Sequence, residues 1–67
     1  MKVYFENSQG KIREIGEVDS KEKAFEIIKD FLFEHYFTSY YARYWEESDY
    51  LKIDVGSHTE FFYVSKD

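Results

Sequence analysis

The sequence predicts an α+β fold: an antiparallel sheet of four to five strands with one amphipathic helix packed on one face. The predicted element order is β-β-α-β-β-β. Three observations lead there. Polar and apolar residues alternate over residues 2–6 and again, cleanly, over residues 50–55, the period of a strand with one buried face. From residue 20 to about residue 36 the apolar period becomes that of a helix, in a stretch without Gly or Pro. Between these segments stand clusters of turn-forming residues.

The first strand, Lys2-Val-Tyr-Phe-Glu6, is followed by Asn7-Ser-Gln-Gly10, where Gly10 suits a positive φ. Lys11-Ile-Arg-Glu-Ile15 resumes the extended pattern, so residues 2–18 form a hairpin. Ile12 and Val18 share a parity that Ile15 breaks, which predicts a bulge or a strand end near Gly16. Asp19 as N-cap with Glu22 three residues on approximates a capping box and starts the helix. On the helical wheel, Ala24, Phe25, Ile28, Phe31, Leu32 and His35 share one side, with Ile27 at its flank. Glu22, Glu26 and Lys29 take the other. Phe33 falls among those charged residues, with Tyr36 beside it. Either the two form an exposed patch, or the helix ends early and Phe33 tucks under residues 37–41.

Residues 38–46 form a Tyr-rich third strand, and Glu47-Ser-Asp49 a turn. In the fourth strand Leu51, Ile53 and Val55 share a face opposite Tyr50, Lys52 and Asp54. Gly56-Ser-His58 turns the chain into a last strand over residues 59–64.

The chain of 67 residues is one domain with no linker or repeat. It has no cysteine, which excludes disulfides and thiolate metal sites, and 22% of its residues are aromatic. Each aromatic ring can bury about 150–250 Å², so a few of them build a core for a short chain. The net charge is −5. Residues 1–45 hold eight acids and seven bases, whereas residues 46–67 hold six acids and two bases. An acidic chain gains nothing from counterion release, so direct nucleic-acid binding and anionic membranes are disfavoured. With neither a leader-like N-terminus nor an apolar run long enough to span a membrane, a cytoplasmic protein is expected.

Aromatics exceed what one helix covers. Phe62 and Val64 lie opposite Phe61 and Tyr63 in parity, and Tyr41 and Trp45 lie opposite Tyr40 and Tyr44. The far sheet face therefore either carries Tyr rings lying flat with wet hydroxyls or forms a contact surface. Phe61, which has no hydroxyl to keep wet, favours contact.

The polar group Ser57-His58-Thr59-Glu60 resembles a catalytic cluster in composition only. Adjacent Ser and His on a strand point to opposite faces, and no nucleophile elbow is present. His35 and His58 match no metal-ligand spacing, Glu46, Glu47 and Asp49 sit in an open turn, and the three glycines are scattered. No catalytic residue, cofactor or metal is assigned, and a non-enzymatic protein is expected.

The segment Asp54-Val-Gly-Ser-His-Thr-Glu-Phe-Phe62, with Tyr40-Tyr-Ala-Arg-Tyr-Trp45 before it, resembles small uncharacterised proteins carried by phages, prophages and other mobile elements of Gram-positive bacteria. The resemblance extends over most of the chain. It implies a bacterial cytoplasm and an accessory role, and it transfers no functional residue. The expected function is a protein-interaction module that binds a bacterial protein through Phe33, Tyr36, Tyr41, Trp45, Phe61 and Tyr63, rimmed by Glu46, Glu47 and Asp49. The alternatives are a homo-oligomeric structural protein, such as a homodimer, and an acidic nucleic-acid mimic that occupies a DNA-binding host or defence protein. Single-stranded nucleic-acid binding fits the aromatics but not the charge.

Overall fold

The computed structural model describes residues 1–34, 43–56 and 59–66. Strands β1 (Lys2–Glu6), β2 (Ile12–Glu17), β3 (Arg43–Glu46), β4 (Tyr50–Asp54) and β5 (Phe61–Ser65) form one sheet, and helix α1 (Lys21–Glu34) packs on one face of it. The strand order is β2-β1-β5-β4-β3, with every neighbouring pair antiparallel. This is the predicted class and element order. The chain leaves the sheet at one edge, β2, and re-enters at the other, β3, with α1 between them in sequence. The last strand then inserts between β1 and β4.

Local chemistry explains each element. The Asn7 side chain accepts the N–H of Gln9 (2.9 Å) and of Lys11 (3.0 Å), and Gly10 takes a φ of 81°, so the first turn closes without strain. The register of β1 against β2 shifts between Val3 and Tyr4, opposite Glu14 and Gly16, which makes Ile15 the extra residue of the predicted bulge. The bulge sets Gly16 under α1, where an added Cβ would stand 2.6 Å from the Ile27 Cδ1 atom. Glycine there lets the helix approach the sheet edge.

The helix cap differs from expectation. The Ser20 hydroxyl accepts the Lys23 N–H (3.2 Å) and the Ser20 carbonyl accepts the Ala24 N–H (3.1 Å), so Ser20, not Asp19, is the N-cap. Asp19 instead pairs with Lys23 at 3.2 Å, and Glu22 falls one position short of a capping box. The last strand also begins later than expected, at Phe61. The rest of the predicted third strand, residues 38–42, lies outside the described residues, as does the end of the helical pattern at His35 and Tyr36.

Ala24, Ile28 and Leu32 form the buried stripe of α1 and meet Val3, Phe5, Leu51, Ile53, Val55, Phe62 and Val64 from the sheet. Phe62 on the central strand is wholly buried, with the Phe5 ring at 5.2 Å and the Phe31 ring at 5.5 Å. No described polar or charged residue is buried. The core is therefore apolar throughout, and it lies entirely on the helix side.

Candidate functional site: the open face of the sheet

Residues paired across strands share a face, so the registers define the surface that α1 does not cover. One row reads Glu14, Tyr4, Tyr63, Lys52, Trp45 from β2 to β3. The next reads Ile12, Glu6, Phe61, Asp54, Arg43. Tyr50 on β4 adds a ring 5.7 Å from that of Tyr63, edge to face. Trp45 is 44% exposed, and Tyr50 39%. An antiparallel sheet normally turns polar side chains to water on its free face. Here the middle of that face is aromatic.

Charged groups on this face are used on the rings and on one another. Lys52 Nζ stands 4.3 Å from the Phe61 ring centre and 5.9 Å from that of Tyr63, within cation–π range. The Arg43 guanidinium lies 5.7 Å from the Trp45 ring centre and 3.6 Å from an Asp54 carboxylate oxygen. The Tyr63 hydroxyl donates to the Glu6 carboxylate. Tyr4, Ile12, Tyr50, Tyr63 and Ser65 enclose a shallow depression of about 420 Å³. Its lining offers ring faces and hydroxyls, a surface suited to apolar contact with a few directional bonds.

Burial, together with the hydrogen bond to Glu6 and its negative charge, pushes the Tyr63 phenol up to about 12. The folded state thus holds the proton more tightly than the unfolded chain, where the phenol ionises near 10. The contribution to stability is complete below about pH 10 and is lost as pH rises towards 12. Urea midpoints measured from pH 9 to pH 12 are expected to fall for the native chain, and to fall less for Tyr63→Phe.

The structure divides the candidate residues among separate surfaces. Trp45, Phe61 and Tyr63 come together on the open face. Phe33 is 83% exposed on α1, on the helix side of the sheet, and the other residues of both its alternatives, Tyr36 and residues 37–41, lie outside the described residues. Glu46 pairs across β3–β4 with Leu51 and so belongs to the helix side, where its carboxylate stands 3.9 Å from Lys21 Nζ and 3.6 Å from Lys66 Nζ. Glu47 and Asp49 lie at the β3–β4 turn. Lys66 donates its ammonium to the Glu47 carbonyl and its backbone N–H to that of Asp49. These acids rim the end of the sheet and do not ring the aromatic face. Tyr36, Tyr41, Ser57 and His58 lie outside the described residues.

Tyr4, Tyr50 and Lys52 belong to the site although sequence reasoning did not name them. The signal was present: each has the parity opposite to its strand's buried residues. A further pattern appears on α1, where Glu22, Glu26, Asp30 and Glu34 recur every four residues, all exposed. None of the four has an ion-pair partner among the described residues. No group of three or more His, Asp or Glu side chains suited to a metal ion occurs among the described residues. No described helix is long and apolar enough to cross a membrane.

Comparisons with protein-family models, with curated proteins and with solved structures give no match to this chain.

Proposed function

We propose that this chain is a non-enzymatic protein-interaction module that docks on a bacterial protein surface through the open face of its sheet, in the cytoplasm and in the service of a phage or other mobile element. One observation carries the reading: Tyr4, Tyr63, Phe61 and Tyr50, with Trp45 beyond Lys52, share the face that the helix leaves uncovered. Tyr and Trp supply contact area at low entropic cost and carry much of the energy of protein interfaces. The Lys52 ammonium over Phe61 keeps the face soluble when undocked and can turn to a partner carboxylate when docked. The mobile-element setting rests on the resemblance of residues 54–62 and 40–45 alone. Affinity capture from a nuclease-treated Gram-positive lysate tests the reading, with Phe61→Ala/Tyr63→Ala run in parallel. A specifically retained protein that the variant loses supports it, and equal retention by both chains contradicts it.

The second reading is the acidic nucleic-acid mimic. The acidic last third, residues 46–67, supports it less than its charge suggests, because Lys21 and Lys66 stand beside Glu46. The helix favours it independently, since a row of carboxylates at four-residue spacing, without ion-pair partners among the described residues, costs about 0.2–0.5 kcal/mol per like-charged pair. Under this reading Glu26→Lys/Asp30→Lys abolishes capture of a DNA-binding protein while raising helix stability. Unchanged capture would remove it.

A further inference from the structure

We propose that the occupant of the open face is a second copy of this chain, seated face to face about a two-fold axis that runs along β5. The proposal rests on the reading of that face as a docking surface, and it names what covers the face while the bacterial protein is absent.

The argument is the division of charge across the face. The β2–β1 half presents three carboxylates, Glu6, Glu14 and Glu17, against one cation, Lys2. The β4–β3 half presents two cations, Lys52 and Arg43, against one carboxylate, Asp54. The central strand between them presents Phe61, Tyr63 and Ser65 and no charge. A two-fold axis along β5 sets the acidic half of each copy on the cationic half of the other, with Glu6 opposite Asp54 as the like-charged exception, and stacks the uncharged aromatic strands at the centre. The other in-plane axis, across the strands, would set acid on acid. Self-complementarity of this kind is what an isologous interface requires. A partner surface of one sign would gain over one half and lose over the other.

Dimensions fit a modest dimer. Five strands about 4.8 Å apart, each about 16 Å long, make a face of about 20 by 16 Å. Over two copies that is about 640 Å², below the size of standard specific interfaces, so only a weak, salt-sensitive dimer is expected. The arrangement is an aligned sandwich with sheets about 10 Å apart. It supplies a second packed layer to a chain whose own core is one-sided. Both helices remain on the outside, so Phe33 and the acidic row stay free for other proteins.

Sedimentation equilibrium with charge-reversed chains tests the proposal. One variant carries Glu14→Lys/Glu17→Lys, the other Arg43→Glu/Lys52→Glu. In low salt the native chain should move from one chain mass towards two between about 1 µM and about 1 mM. Each variant alone should dimerise at least about tenfold more weakly, a difference of about 1.4 kcal/mol. Their equimolar mixture should regain the dimer, because every reversed half then faces its opposite. Should a reversed chain lack the native circular dichroism, Lys52→Gln replaces it and should still weaken the dimer several-fold.

A native chain that stays at one chain mass at about 1 mM overturns the proposal. So does a dimer that the charge variants leave unchanged. A monomeric native chain whose Phe61→Ala/Tyr63→Ala variant still loses its lysate partner overturns the dimer while the docking reading stands. A dimer that persists in that variant overturns the face itself.

Discussion

Phe62→Ala is expected to lower stability by about 3–5 kcal/mol, which brings the chain towards its unfolding midpoint at 25 °C. The side chain is wholly buried on the central strand, between Phe5 and Phe31 and under the stripe of α1. Truncation removes the ring's transfer energy and leaves a cavity bounded by the helix on one side and a sheet on the other. Neither wall can collapse freely. A domain of this length has a total stability of about 5 kcal/mol, so the loss is comparable with the whole. Urea unfolding followed by far-ultraviolet circular dichroism checks it. A loss under 1.5 kcal/mol, which only a well-relaxed site would give, would contradict the placement of Phe62 at the centre of the core.

The neighbouring pair on the opposite face should behave in the reverse way. Phe61→Ala/Tyr63→Ala is expected to keep the native circular dichroism while docking weakens by about a hundredfold or more. Phe61 and Tyr63 flank Phe62 in sequence but face away from the helix, and both are only partly buried. Their truncation leaves no enclosed cavity. What it removes is ring surface at the middle of the open face, the platform for Lys52 and the donor to Glu6. Adjacent residues on one strand thus separate folding from binding, because a strand turns successive side chains to opposite faces.

That same period explains how much was legible in the sequence. The faces of residues 50–55 and 61–64, the hairpin, and the bulge at Ile15 all follow from alternation and its interruption. The helix face followed from the change of period at residue 20. What alternation cannot supply is strand order. The insertion of β5 between β1 and β4 is what brings Tyr4 and Tyr50 beside Tyr63, and no local pattern encodes it. Strand pairing also decided the fate of Glu46. Read as an acidic cluster it joined Glu47 and Asp49, but its pairing with Leu51 carries it to the helix side and within reach of two lysines. The capping residue was misplaced by one position because Asp19 and Ser20 are both good N-caps. The choice between them is made by where the helix meets the sheet.

Trp45 is the one tryptophan of the chain and stands on the open face, so its fluorescence reports directly on whether that face is covered. Acrylamide quenching should be compared between the dilute free chain and the docked state, whether the occupant is a second copy at high concentration or a captured partner. Docking through the open face predicts that quenching falls several-fold on docking, with a shift of emission to shorter wavelength. Trp45 left as accessible in the docked state as in the free chain would contradict it.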